Sequence, residues 1–530
     1  MRNLMNFLSG EVPGGIVLLA IIIFAVNITF ILLKSSKIFS AEKARKNQLF
    51  YSIIILMIYS SLWLILQPPL PKVRVMVLPT VNQNNAVELN SKAFALAESF
   101  ERAGLNNTEN KYIIHRWSWL FETIGNDSVT DISAWVSTAL RMNSGILIES
   151  EYRPDGGITC TVSDYHKGAV KKNVIEAGAA NEINGLLNRL NKQFKFFSDN
   201  PVNANSDMLI LDAKISLLQG DTERVSNLIE GREYVESKVL RAFVLMKNGM
   251  SVRRDREKAK YTKIVNNDFE AAKRILHPII KDRKDTPEVP YLLGRIALRE
   301  EDYPLAELFL KKAIVDDPSN PRVLFSLSYL LSARLQELGY ESRIKVLEKA
   351  VLLDPGYVKA VYELANEYYL TGTGTQVGTG TIMAMETIDS YMKIKTDDPT
   401  ILSLLGMIYI KTNRFDDAFD VNLKLQKQYP DDSNVYYNLG VVSFHQKKYE
   451  EALKYFKKAI AIDQNLDSYL YMGITYRQIG EREKALKYYR ERIKRKKGDD
   501  DIYAKEAMTG IRKILDEINQ EKAAANIHEN

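Results

Sequence analysis

Three glycines, Gly406, Gly440 and Gly473, stand 34 and 33 residues apart, and three alanines, Ala418, Ala452 and Ala485, repeat the same intervals. A period of that length holds one pair of antiparallel helices, and one pair alone leaves its apolar face in water. Units of this kind must therefore stack, each against the next, into a solenoid with a concave groove. Within a unit the glycine marks where the first helix meets the second, and the alanine marks where a larger side chain would force the two apart. Tyr436, Leu439, Phe456 and Ala459 are expected to fill the remaining core positions of the clearest unit.

Looser copies precede these three. "VPYLLGRIALREEDYPLAELFLKKAIVDDPSN" carries Gly294, Tyr303, Ala306, Ala313 and Pro318, and "RVLFSLSYLLSARLQELGYESRIKVLEKAVLLDPGY" carries Ser328, Ala350 and Pro355 with a longer turn. About eight units are expected over residues 205–520, followed by a tail at 521–530. The pattern resembles tetratricopeptide repeats. In that family the ligand-facing side chains come from the first helix of each pair, at its second, fifth, ninth and twelfth places. Carried over, these are Tyr291, Arg295, Arg322, Phe325, Tyr329, Lys359, Tyr362, Asn366, Tyr369, Tyr437, Phe444 and Arg477. Aromatic surfaces with interspersed cations suit an extended or helical peptide bearing some acidic groups. The set does not reproduce the lysine and asparagine pattern of the carboxylate clamps that hold chaperone tails.

Residues 73–198 have a different texture. "VRVMVLP" reads as a strand covered on both faces. "NSKAFALAESFERAG" reads as a helix, "KYIIHRW" as a strand and "TDISAWVSTALRM" as a helix capped by Thr130 or Asp131. "GILIESEYR" and "GITCTVSDYH" are joined by the turn signal "PDGG", a third strand follows, and "NEINGLLNRLNKQFKFF" closes the unit as a helix. The order β-α-β-α-β-β-β-α predicts a mixed sheet with helices packed on it. The opening "VMVLP" and the segment "ISAWVSTALRMNSGILIESEYR" resemble the amino-terminal domain of TolB and FlgO-like domains, with Thr80 where that family commonly has phenylalanine. The resemblance implies a partner-contacting domain and brings no catalytic residue.

At the amino terminus, residues 15–33 and 49–66 contain no charge and are each long enough to cross a bilayer as a helix. The loop between them, 34–48, carries Lys34, Lys37, Lys43, Arg45 and Lys46, and such loops stay in the cytoplasm. A two-helix transmembrane hairpin over residues 1–70 is therefore expected to contact the lipid bilayer and to place the rest of the chain in the periplasm of a bacterium, anchored in its inner membrane. The fold class expected is mainly α: a transmembrane hairpin, a small α/β domain, then a tetratricopeptide α-solenoid.

Little in the sequence points to chemistry. "TGTGTQVGTGT" lacks the lysine of a phosphate loop and falls between two helices of a repeat. The five histidines have no metal spacing, Cys160 is the sole cysteine, and no nucleophile motif occurs. No cofactor, metal or catalytic residue is expected. The formal charge of +6 sits mostly in the loop at 34–48, which argues against a nucleic-acid partner. The function read from the sequence is an adaptor or scaffold that holds a protein or peptide in the groove during assembly of an envelope complex, not an enzyme. The alternatives are an adaptor facing the cytoplasm and a small-ligand sensor using the α/β domain.

Overall fold

The computed structural model describes residues 73–105, 112–124, 128–155, 157–165, 171–179, 183–196, 207–251, 258–282, 286–371, 378–498 and 500–528. The chain divides into two compact units, one of residues Met1–Arg74 and Glu109–Ile113, the other of Val75–Thr108 and Ile114–Asn530. The second unit contains most of the sheet and the whole helical array.

The sheet domain runs β1 (Val73–Val81), α1 (Ser91–Leu105), β2 (Tyr112–His115), α2 (Trp117–Ile124), α3 (Ile132–Arg141), β3 (Ile146–Tyr152), β4 (Gly157–Asp164), β5 (Lys171–Ala179) and α4 (Ile183–Phe194). Strands lie in the order β2-β1-β3-β4-β5. β1 pairs parallel to β3, with Val75 opposite Ile146, and shifts register between Val77 and Thr80. β3, β4 and β5 form an antiparallel meander, with Ser150 opposite Cys160 and Cys160 opposite Ile175. The apolar run of β1 is buried from Val75 through Val81, as a strand covered on both faces requires. Asp131 caps α3 by accepting from the Ser133 amide at 2.9 Å. The element missing from the sequence expectation is α2, an eight-residue helix inserted after β2.

The array comprises eight helix pairs among the described residues. They are α5 (Met208–Leu218) with α6 (Thr222–Ile229), α7 (Val235–Ser251) with α8 (Lys258–Asp282), and α9 (Glu288–Arg299) with α10 (Tyr303–Asp316). Next come α11 (Pro321–Leu327) and the short α12 (Ser332–Glu337) with α13 (Arg343–Leu353), then α14 (Val358–Thr371) with α15 (Thr379–Met392). The regular end is α16 (Pro399–Lys411) with α17 (Phe415–Gln428), α18 (Ser433–His445) with α19 (Tyr449–Asp463), and α20 (Leu466–Gln478) with α21 (Arg482–Lys494), closed by α22 (Ile502–His528). The connections between pairs supply the caps: Asn320, Asp398 and Asp432 each accept from amides that open the next first helix.

The repeated glycines have one partner each, always sixteen residues on. A Cβ added at Gly294, Gly440 or Gly473 would lie 2.8, 2.5 or 2.5 Å from the side chain of Leu310, Phe456 or Tyr489. Ala306, Ala418, Ala452 and Ala485 are completely buried in the same crossings. Gly406 breaks the pattern, because its partner is Asn422. The Asn422 amide nitrogen donates to the Ala418 carbonyl at 2.8 Å, while its oxygen is buried with no partner. An orphaned buried oxygen costs about 1–3 kcal/mol. Asn422→Leu, which puts the residue of the Gly294 crossing at this one, is expected to stabilise the array by about 1 kcal/mol, seen as a raised Tm in thermal denaturation.

The fold-class expectation is corrected on one point. The described fold is a mainly helical solenoid with a small sheet domain, and a two-helix transmembrane hairpin is not part of it. The expected spans 15–33 and 49–66 and the basic loop 34–48, with the bilayer contact and the localisation derived from them, lie outside the described residues. Among the described residues no helix is long and apolar enough to cross a membrane. The physical reason is charge: α8 and α22 span 25 and 27 residues but carry lysine, arginine, aspartate or glutamate along their length, which a hydrocarbon core does not accept.

Candidate functional site

Helix α2 is apolar on one side and ionic on the other. Trp117 and Phe121, one turn apart, enter the sheet-domain core, where Phe94 lies 4.6 Å from the Trp117 ring and Trp135 lies 6.0 Å from Phe121. Arg116, Trp119, Glu122 and Thr123 follow a three-to-four-residue spacing and meet the repeat array. Arg116 pairs with Asp317 in the connection after α10. Glu122 pairs with Arg322 of α11, whose guanidinium also reaches Asp354 at 3.4 Å in the following connection. Trp119 is buried with both cations near its ring, Arg116 at 5.8 Å and Arg322 at 5.4 Å. Gly356 completes the contact: a Cβ there would lie 2.6 Å from the Thr123 hydroxyl. One connection further on, Arg141 of α3 donates to the Ile394 carbonyl at 3.4 Å.

At the other end, α1 packs on α5, the first helix of the array. The Ser91 amide donates to Asp212, and Lys214 pairs with Glu98. Glu98 is 4% exposed and also accepts from the Trp117 indole at 3.1 Å and from Arg102 at 3.2 Å. Burial pushes its carboxyl up, but Lys214, Arg102 and Trp117 together outweigh burial and hold it down at about 2. Glu101, one turn on, accepts from the Trp117 amide. Burial first, and then repulsion from Glu98, push its carboxyl up to about 8 despite Arg116 and Lys214.

Between these two fastenings lies a cavity of about 1330 Å³. The sheet domain contributes Glu98, Glu101, Arg116, Trp117, Trp119 and Glu122 to its wall. The array contributes Tyr291, Arg295, Arg322, Phe325, Tyr329, Tyr357, Lys359 and Tyr362. Seven of the twelve residues carried over from the sequence thus share one cavity. Two cations there differ from the rest. Arg295 donates to the Tyr291 phenol at 3.4 Å and to the Met250 sulfur at 3.1 Å, and pairs with no carboxylate among the described residues. Lys359 likewise forms no ion pair among the described residues; burial of its ammonium, then repulsion from Arg295, lowers its pKa.

The other five lie elsewhere. Asn366 and Tyr369 continue along α14, where the Lys411 ammonium sits 4.2 Å from the Tyr369 ring. Tyr437 packs edge-on to Tyr471 at 5.6 Å, and burial pushes its phenol up. Phe444 packs against Tyr449 and Tyr471, and Arg477 pairs with Glu517 of α22 at 2.6 Å. The site residues that the sequence reading missed are those of the opposite wall, above all Arg116, Trp119 and Glu122. Their one signal is the spacing of Arg116, Trp119 and Glu122 along a single helical face.

Residues 263–321, 433–466 and 469–501 match tetratricopeptide repeat models. Over 196 residues the chain is 28% identical to the anaphase-promoting complex subunit CDC16 of Saccharomyces cerevisiae, covering 35% of this chain and 21% of that protein. The chain therefore spans about a fifth of that relative's length. Among solved structures, it is similar to a tetratricopeptide repeat protein from Parabacteroides merdae, with 14% identity, a TM-score of 0.35, and coverage of 51% of this chain and 98% of that one. It is also similar to the Cut9–Hcn1 hetero-tetramer of the APC/C, with 14% identity, a TM-score of 0.39, and coverage of 62% and 59%. A third is MamA, with 20% identity, a TM-score of 0.27, and coverage of 31% and 93%.

Proposed function

From a helical array built of tetratricopeptide repeats, we propose that this protein is an adaptor that holds a protein partner in the cavity between the repeats and the sheet domain, in the assembly of a larger complex. Arg295 and Lys359 carry the reading. They line a cavity rich in tyrosine and, among the described residues, form no ion pair with the carboxylates that share its wall, so an acidic group brought by a partner can pair with them. Tyr291, Tyr329 and Tyr362 give that partner flat surfaces to pack on at low entropic cost. The resemblance of residues 73–198 to TolB and FlgO-like domains fits a wall that touches the partner as well. Binding without covalent change is the role that this tyrosine-lined cationic cavity supports best.

A fluorescein-labelled acidic peptide carrying one tyrosine, titrated against the full chain by fluorescence polarisation, tests the reading. Arg295→Ala and Lys359→Ala are each expected to weaken binding about tenfold, and more at low salt than at high. Equal affinity of both variants and the parent for this peptide would count against an acidic partner.

A further inference from the structure

Arg295 of α9 and Lys359 of α14 reach the cavity from first helices two pairs apart. They are near enough for the guanidinium to help hold the Lys359 ammonium below its usual range, part-burial being the larger cause. The acidic groups around them are engaged elsewhere: Glu122 pairs with Arg322, and Glu363 pairs with Arg343 at 2.6 Å. Among the described residues the Arg295 guanidinium donates to the Tyr291 phenol and to the Met250 sulfur, a weak acceptor. Arg295 is half-buried and Lys359 is exposed, so a ligand can reach both. Holding like charges together costs free energy, and an anion bound between them offsets that cost.

A carboxylate balances only one of these cations. A phosphate monoester carries about −1.5 to −2 charges at neutral pH and has three strong acceptor oxygens, so one group pairs with both and still accepts from hydroxyls. The hydroxyls of Tyr329 and Tyr362, on the same wall, make no hydrogen bond among the described residues. Beside the cations stand aromatic faces: Phe325 meets Tyr329 edge-on at 5.3 Å, and the Arg295 guanidinium lies 5.6 Å from the Tyr291 ring. A ring that carries the anion packs there, whereas the short stem of a phosphoserine leaves those faces uncovered. The cavity, about 1330 Å³, is larger than the roughly 300–1,000 Å³ of small-molecule pockets and has room for several peptide residues.

We infer that the cavity takes a phosphorylated tyrosine of a partner peptide, with the phosphoryl group between Arg295 and Lys359 and the ring among Tyr291, Phe325 and Tyr329. The inference rests on the acidic-partner reading above and makes the acidic group a dianion on an aromatic stem. The labelled peptide with one tyrosine tests it, prepared with that tyrosine free, phosphorylated or sulfated and titrated against the full chain by fluorescence polarisation. Sulfotyrosine has the shape of phosphotyrosine with less charge. The phosphorylated form is expected to bind at least about tenfold more tightly than either of the others. Lys359→Gln is expected to remove most of that margin and Lys359→Arg to keep it, and neither change touches the core, because Lys359 is exposed.

Two further probes fix the source of the phosphoryl group. The same peptide with phosphoserine in place of phosphotyrosine is expected to bind about tenfold more weakly, since the aromatic faces lose their contact. Phenyl phosphate is expected to displace the phosphotyrosine peptide only at about a hundredfold above that peptide's Kd; displacement near the Kd would make the ligand a small ester and overturn a peptide. Equal binding of the phosphorylated and sulfated forms, or a margin that survives Lys359→Gln, overturns the phosphotyrosine site and leaves the acidic-partner reading standing. Binding of none of the three forms sinks both.

Discussion

Alanine in place of Gly440 is expected to lower the stability of the repeat array by about 2 kcal/mol, read from denaturant unfolding followed by circular dichroism. The added methyl would fall 2.5 Å from the Phe456 ring, which is fully buried and packs against Tyr437 and Tyr471. One of the two helices must move, and the neighbouring pairs then repack. Phe456→Ala alone opens a cavity and is expected to cost about 3–5 kcal/mol. In the double variant the methyl enters part of the emptied volume, so the two losses should fall short of their sum by about 1 kcal/mol. Full additivity would mean that the glycine serves backbone geometry alone and not this crossing.

The second large effect is on pH. The Glu101 carboxyl is raised to about 8 from an ordinary 4.5, so the folded chain keeps that proton where the unfolded chain has released it. The sign follows: the folded state binds more protons across this window, so its stability falls as pH rises. The contribution is complete below about pH 4.5 and is lost as pH climbs through about 8, to the extent of roughly 4 kcal/mol. Glu101→Gln fixes the side chain in a form like the protonated acid. The variant is expected to match the parent near pH 5 and to exceed it at pH 9, in urea denaturation at both values. The neighbouring Glu98 does not contribute in this window, being held at about 2 by Lys214, Arg102 and Trp117 against its burial.

The sequence showed the repeat array plainly because its information is local and repeated. Gly440 and Phe456 are sixteen residues apart in one unit, and Gly473 and Tyr489 restate the same contact. The groove residues followed from the same register, which is why Tyr291, Arg295, Phe325 and Tyr362 come together in space from three different first helices. Helix α2 was hidden for two reasons. Eight residues are too few for a period of 3.6 to show, and the ionic side of "WSWLFETI" holds only one charged residue, Glu122, to set against its apolar side. Only its first residue, Trp117, falls in the segment read as strand, "KYIIHRW", and the other seven carried no assignment. The pairing of Arg116 with Asp317, 201 residues apart, has no local trace at all. Docking between parts of a chain depends on shape and charge that only the folded surfaces define. The segment between α11 and α13 was read as an extended turn, whereas part of it forms the short helix Ser332–Glu337. Ser328 in place of the usual glycine accompanies the break there, and Leu331 adopts an extended backbone before the new helix starts.

The contacts between the sheet domain and the array also govern how the array comes apart. In a plain solenoid each pair touches only its neighbours, so melting can begin at any weak unit and creep outward. Here a rigid body bolted to Met208–Leu218 reaches Asp317, Asp354 by way of Arg322, and the Ile394 carbonyl. Loss of order in any of the first five pairs must therefore break contacts far from where it starts. Among the described residues, 208–398 are therefore expected to open as one cooperative block and 399–528 to fray pair by pair, as amide hydrogen exchange would show.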